Sequence, residues 1–247
     1  MKNFNDLCYN EAHQLYLDVH LPKAHTFPVL IYFHGGGLER GDKSRAEVFF
    51  ESMTNRGIAV VSANYRMYPD AKYPEFVFDA AEAVSWVFQN IHRFGNAEKI
   101  FVGGSSAGGY LSQMLCYDES YLKHFGISLS SIAGFILDAG QPTCHFRILK
   151  ERGIDSRRVI VDESAPLYHI EEGKAYPPMQ IIVSDQDMQN RYEQTMLLVS
   201  TLKHFGYEEL VSLVVMKGKH CAYVKRMDEN GENVFTNIVA PFILSHC

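Results

Sequence analysis

The chain alternates between short apolar runs and longer stretches whose apolar residues recur at helical spacing. The runs are of strand length and contain few internal polar residues, which is typical of strands buried on both faces of a parallel sheet. An earlier segment, 15–22, alternates apolar and polar residues and stops at a proline, as an antiparallel strand does. The apolar runs cover residues 28–33, 58–65, 100–102, 132–137, 179–183 and 210–216.

Helical spacing fills most of the intervals between these runs. One predicted helix extends from Pro74 to Ile91, others cover 110–116 and about 190–205, and a last helix closes the chain. Strands alternating with helices predict an α/β fold with a mostly parallel central sheet and helices on both faces. No linker-like stretch interrupts the pattern, so we expect a single domain over 1–247.

In residues 141–175 the apolar residues follow neither helical nor strand spacing, and the segment carries several charges. A segment of this length without an evident element is more often functional than a plain connection. It is therefore a candidate lid or substrate loop.

Composition excludes several classes of function. The formal net charge of −6 and the absence of a basic run argue against nucleic acid as a partner. No apolar stretch has membrane-spanning length, and the first residues lack the apolar core of a signal peptide. The five cysteines are odd in number and share no metal-ligand spacing, so we expect reduced thiols, a cytoplasmic protein and no bound metal.

The stretch Gly104-Ser105-Ser106-Ala107-Gly108 follows an apolar run and opens a helical pattern. This is the G-x-S-x-G turn, in which a serine at the apex is presented as a nucleophile. Glycines two residues before and after the apex allow close backbone approach, which favours Ser106 as the apex. Ser105 is the alternative apex, but it places alanine two residues on. A glycine-rich nucleotide-binding turn would need G-x-G-x-x-G or a lysine-serine ending, and neither is present.

A second glycine run, His34-Gly35-Gly36-Gly37, ends another buried strand. Acyl transfer passes through an oxyanion that needs N–H donors aimed at one point, and glycines leave that approach open. We expect the N–H groups of Gly36, Gly37 and Ala107 to be these donors. His34 ends a buried strand, so we expect it to hold the loop rather than to act as a base.

The chemistry-bearing loops all follow predicted strands. Active sites of open parallel sheets lie outside the carboxyl ends of their strands. The loops at 34–37, 104–108, 184–187 and 218–221 are therefore expected to meet at one edge.

These features resemble the α/β-hydrolase fold and, more narrowly, the carboxylesterases related to hormone-sensitive lipase. The resemblance rests on His34–Gly37, on 64–70 with Pro74, Asp79 and Trp86, on Gly104–Gly109, and on Ser164-Ala165-Pro166, Pro177-Pro178, Asp187 and His220. It implies a triad of Ser106, Asp187 and His220, in which the serine attacks, the histidine takes its proton and the aspartate orients the ring. It also implies that Arg66 and Asp79 form a buried scaffolding ion pair.

Two departures from the family pattern matter. Only 33 residues precede His34, which leaves no room for the usual N-terminal cap and points towards small, cap-less, acetylesterase-like enzymes. Ser184 stands where the family commonly has glycine, which leaves Asp185 as a rival to Asp187, although the spacing favours Asp187. Cys221 is either a reactive thiol or a small apolar filler, and we favour the filler.

The resulting expectation is a cofactor-free serine carboxylesterase for small-molecule esters with short acyl groups, of acetyl type and including carbohydrate esters. The alternatives are a serine peptidase of the prolyl-oligopeptidase type and a non-catalytic binding protein on the same fold. We expect neither nucleic acid nor a membrane as a partner. The edge of the last strand is a candidate surface for a homodimer.

Overall fold

The computed structural model describes residues 2–247, and within them the strands form one sheet of eight. The spatial order is β1-β2-β4-β3-β5-β6-β7-β8. β1 and β2 are antiparallel to their neighbours, and all other pairs are parallel. The strands are β1 (Lys2–Asn10), β2 (Leu15–Leu21), β3 (Thr26–Phe33), β4 (Ala59–Ala63), β5 (Asn96–Ser105), β6 (Gly134–Asp138), β7 (Met179–Gln186) and β8 (Val211–Lys219).

The sheet confirms the predicted α/β architecture with a mostly parallel centre. Each predicted strand is present, with bounds shifted by a few residues. β1 was not predicted, because it is a mostly exposed edge strand in which only Tyr9 is buried, so its sequence has no apolar alternation.

Helices cover both faces of the sheet. They are α1 (Glu47–Asn55), α2 (Glu75–Asn90), α3 (Ala107–Tyr117), α4 (Ser120–His124), α5 (Phe146–Glu151), α6 (Arg191–His204) and α7 (Thr236–Ser245). The prediction missed α1, which is short and buries only Phe49, Phe50, Met53 and Thr54. It also missed the five- and six-residue helices α4 and α5, which are too short to show a period.

Two hydrophobic clusters hold these layers together. The larger lies between the sheet and the helices α2, α3 and α6, and the smaller packs α1 and α7 on the opposite face. Burial of both strand faces explains why the central strands read as continuous apolar runs. None of the helices within residues 2–247 combines the length and the apolar character that a membrane crossing requires.

Residues 141–175 are ordered by contacts with the body of the domain. The segment contains α5 and a turn of 3-10 helix at Pro166–His169. The Tyr110 hydroxyl of α3 donates to the Ser164 carbonyl at 2.8 Å, and the Leu167 N–H donates to the Pro142 carbonyl at 2.9 Å. The segment forms no large cap over the carboxyl edge of the sheet.

Candidate active site

Ser106 lies at the turn between β5 and α3. Its backbone has φ 57° and ψ −112°, a region that costs a residue with a side chain on the order of 1–3 kcal/mol. The turn is tight enough that a Cβ at Gly108 would lie 1.9 Å from the Phe33 carbonyl oxygen. A Cβ at Gly104 would lie 2.6 Å from the same oxygen, so both positions exclude any side chain. The strained turn is held by the Ser106 N–H, which donates to the Asp138 carbonyl at 2.8 Å.

His220 joins this serine to a carboxylate. Its Nε2 lies 2.8 Å from Ser106 Oγ, and its Nδ1 lies 2.5 Å from Asp187 Oδ1. The Asp187 side chain is fully buried and also accepts the Met188 N–H at 2.7 Å. Burial raises the pKa of Asp187, but the hydrogen bond and charge of His220 outweigh it and leave that pKa below its ordinary value. The carboxylate therefore stays ionised and selects the ring tautomer whose Nε2 faces the serine.

The structure separates the two aspartates after β7. Asp185 is exposed, and its carboxylate accepts the Gly218 N–H at 2.8 Å, which ties the end of β8 to the end of β7. Asp187 is the one that contacts the imidazole. The geometry thus assigns Asp185 to the support of the loop that carries His220.

Ser105 points away from the line formed by Ser106 and His220. Its hydroxyl accepts the Tyr32 hydroxyl at 2.8 Å and donates to the Asp138 carboxylate. The side chain is buried and fully engaged. Ser106 is therefore the serine that reaches the imidazole.

The glycine loop after β3 presents free N–H groups. Among the hydrogen bonds within residues 2–247, none uses the N–H of Gly36, Gly37 or Ala107 as a donor. Gly36 has φ 145°, and a Cβ there would lie 1.5 Å from the Arg40 carbonyl oxygen, so only glycine fits. These three N–H groups are available to a ligand beside Ser106.

His34 is structural in its contacts. Its Nδ1 lies 3.0 Å from the Gly35 carbonyl oxygen, and its ring stacks on Tyr65 with centroids 4.5 Å apart. Burial lowers the pKa of His34 to about 4, so the ring is neutral at pH 7.

A cavity of about 630 Å³ opens above Ser106 and His220. Gly35, Gly36 and Gly37 form one wall, and Met188, Cys221 and Val224 form another. Of segment 141–175, only Phe146 lines it. Residues 2–247 contain no group of three histidine, cysteine, aspartate or glutamate side chains placed to hold a metal ion.

Comparisons with known proteins identify the fold. The family model BD-FAE matches residues 17–132. A solved structure of esterase B from Lactobacillus Rhamnosis superimposes with a TM-score of 0.80 at 18% identity, over 99% of this chain and 85% of that one. This chain has the α/β-hydrolase fold.

Sequence relatives of this chain include carboxylesterases and a receptor. Esterase LipC of Mycobacterium tuberculosis is 25% identical over 208 residues, which are 74% of this chain and 51% of LipC. The gibberellin receptor GID1 of Oryza sativa is 33% identical over 99 residues, which are 37% of this chain and 27% of the receptor. The chain spans 27% to 51% of the length of the first eight curated relatives it matches.

The predicted ion pair between Arg66 and Asp79 is present. Arg66 contacts Asp79 through two guanidinium nitrogens, Nη2 to Oδ1 at 2.7 Å and Nε to Oδ2 at 2.9 Å. The Asp79 carboxylate is 2% exposed. This bidentate contact fastens the loop after β4 to α2.

Sequence reasoning missed a buried polar network beneath Ser106. Asp138, at the end of β6, accepts hydrogen bonds from the hydroxyls of Ser105 and Tyr223. The Cys221 thiol lies 3.8 Å from the same carboxylate, and burial raises the pKa of that thiol well above its ordinary value. The neutral thiol fits the predicted filler role. Asp138 could have been noticed as the one charge in an otherwise apolar run.

A second missed residue is Arg191, the first residue of α6. Its guanidinium is buried and donates to the Ala139 carbonyl and to Gln141 Oε1. It thereby links the helix that follows Asp187 to the loop that follows β6. Because Arg191 begins a helix that is rich in polar residues, nothing in the sequence distinguishes it from an exposed arginine.

Proposed function

We propose that this protein is a serine carboxylesterase whose triad is Ser106, His220 and Asp187. The observation that carries the proposal is the unbroken line of contacts Oγ–Nε2 and Nδ1–Oδ1, at 2.8 and 2.5 Å, beside three unused N–H groups. The similarity to carboxylesterases supports it.

In the proposed reaction, Ser106 Oγ attacks the ester carbonyl while its proton passes to His220 Nε2. Asp187 stabilises the imidazolium that forms, and the N–H groups of Gly36, Gly37 and Ala107 bind the oxyanion. His220 then protonates the leaving alcohol, and an acyl-serine remains. Water, deprotonated by the same imidazole, releases the acid and restores the serine.

We propose a short acyl group, of acetyl type, for the substrate. The cavity of about 630 Å³ must hold both the acyl and the alcohol parts, and no large cap among residues 2–247 extends its apolar walls. This volume also admits a sugar as the alcohol.

The decisive experiment compares wild type with Ser106→Ala on p-nitrophenyl acetate. Loss of the nucleophile is expected to reduce kcat by at least about 10³-fold with the circular dichroism spectrum unchanged. Labelling by a fluorophosphonate should follow the same pattern. Near wild-type turnover by the alanine variant would contradict the assignment.

A second candidate function is that of a non-catalytic binding protein, because one of the relatives is a receptor. A protein of that kind would bind small molecules without turnover and would resist the fluorophosphonate. A peptidase of the prolyl-oligopeptidase type would instead cleave aminoacyl-p-nitroanilides in preference to p-nitrophenyl esters.

We further propose a cytoplasmic location, because all five cysteines are free thiols, as is usual in reducing compartments.

We also propose a homodimer formed through β8, which is an edge strand with Leu213 and Val215 exposed. Sedimentation of the purified protein tests the dimer.

A further inference from the structure

Three cationic side chains line the cavity above Ser106. Arg40 and Arg45 belong to the chain that follows the glycine loop, and Lys225 follows His220. All three are exposed, and within residues 2–247 none forms an ion pair with a carboxylate. Arg45 reaches the Gly35 carbonyl at 3.4 Å, which places its guanidinium beside the glycine wall.

The acidic groups near these cations are already engaged. Glu39, the one carboxylate that lines the described cavity, pairs with Arg147, whose guanidinium stacks 3.5 Å from the Tyr68 ring centroid. Asp42 lies outside the lining, and its carboxylate accepts the Ser44 N–H at 2.9 Å and the Asn64 amide at 3.0 Å. The cavity therefore keeps an excess of positive charge.

This excess opposes the charge of the whole chain, which is −6. A concave site lined by one sign of charge focuses its field and raises the local concentration of ligands of the opposite sign. An isolated surface lysine would hardly raise the local concentration of anions. Three cations that line one cavity beside Ser106 act together on the same bound molecule.

We propose that the cavity selects esters that carry an anionic group, a carboxylate on either the acyl or the alcohol part, held by Arg40, Arg45 and Lys225. This proposal rests on the proposed esterase function and adds the substrate class to it. The cations contact a part of the substrate that does not react, so they lower KM more than they raise kcat.

The test uses two matched pairs of esters that differ only in charge. The first pair is para-acetoxybenzoate and its methyl ester, which carry or lack the anion on the alcohol side. The second is the p-nitrophenyl half-ester of adipic acid and its methyl ester, which carry or lack it on the acyl side. We expect kcat/KM to favour the anionic member of at least one pair by about 10-fold, and the pair that shows it identifies the side.

Variants then assign the preference to the three cations. Arg40→Gln, Arg45→Gln and Lys225→Gln should each reduce the anionic-to-neutral ratio of kcat/KM by about 2-fold, because the three solvent-exposed charges share the roughly 10-fold preference. Arg40→Lys and Arg45→Lys should retain most of it. Lys203→Gln, which removes an exposed cation at the far end of α6, should leave the ratio unchanged. About 0.5 M salt should reduce the wild-type ratio by screening.

The outcomes separate this proposal from the esterase function. Hydrolysis of the neutral esters with no preference for either anionic partner would refute the anion selection and leave the esterase intact. A preference that survives all three glutamine variants would also refute it. Failure to hydrolyse any of the four esters, together with no fluorophosphonate labelling, would overturn the esterase proposal and this one with it.

Discussion

Asp138 is the residue whose environment most changes its chemistry. Its carboxyl is fully buried at the end of β6, and burial raises its pKa to about 6, against the two hydroxyl hydrogen bonds that favour ionisation. Between about pH 4 and 6 the native carboxyl therefore keeps a proton that the unfolded chain has lost. The associated stability is nearly complete below about pH 4 and is lost as the pH rises through about 6.

Comparing wild type with Asp138→Asn isolates this contribution. The free energy of unfolding of wild type minus that of the variant should fall by about 2 kcal/mol as the pH rises from 4 to 6, and level off above about pH 7. Urea unfolding at several pH values measures it. Other buried groups such as His34 titrate in both proteins and cancel in the difference.

Asp155→Asn is the matched control for this comparison. Hydrogen bonds from Arg157 lower the pKa of this exposed carboxyl to about 2, so the native group is ionised throughout the range from pH 4 to 6. Its difference from wild type should therefore not fall between pH 4 and 6. A level difference for Asp138→Asn as well would show that the buried carboxyl is ionised throughout this range.

At the scale of the element, the strand β5, the turn and the helix α3 form the unit that presents Ser106. The turn accepts a positive φ at a residue with a side chain because Gly104 and Gly108 let the backbone of β3 approach. The composition of this unit made it the most predictable part of the site. Ala107 is the first residue of the helix, so its N–H has no partner within the helix, and this could be predicted from the position of the helix start.

The strain in this turn can be measured with two inactive variants. Ser106→Gly and Ser106→Ala both remove the hydroxyl, but only glycine relieves the positive φ. We expect the glycine variant to be more stable than the alanine variant by about 1 kcal/mol in urea unfolding. Equal stability, or a more stable alanine variant, would mean that the turn stores no strain.

Other elements were predictable only where burial requires a run or a regular spacing of apolar residues. The central strands were found because both of their faces are covered. β1 was missed because its side chains face solvent, although it pairs with β2 along most of its length. Segment 141–175 gave no period because its order comes from contacts with α3 and from short turns rather than from a long helix.

At the scale of the whole molecule, the site exists only when distant strands lie side by side. Ser106 follows β5, Asp187 follows β7 and His220 follows β8, and the glycine loop follows β3. The parallel register brings all four carboxyl ends to one edge. No short segment of the chain contains the proposed triad, because Ser106 and His220 are 114 positions apart.

Global unfolding should therefore abolish activity and structure together if residues 1–247 form one domain. Trp86, the only tryptophan, lies on α2, on the face of the sheet that carries the larger cluster. Its fluorescence and the hydrolysis of p-nitrophenyl acetate should show one midpoint in urea. Activity lost well before the fluorescence change would reveal a site that melts separately.

The sequence alone predicted the central strands, the glycine-bounded serine and the glycine loop after β3, because each is a local pattern with its own spacing, and the resemblance to carboxylesterases added the proposed order serine, aspartate, histidine. Only the tertiary structure decided that Asp187 rather than Asp185 meets the imidazole, and that Asp138, Arg191 and the cations of the cavity converge on the site. These depend on which distant side chains the sheet brings within contact, and on which charges burial leaves unpaired. Neither the contacts between distant side chains nor the unpaired charges can be predicted from any single segment of the chain.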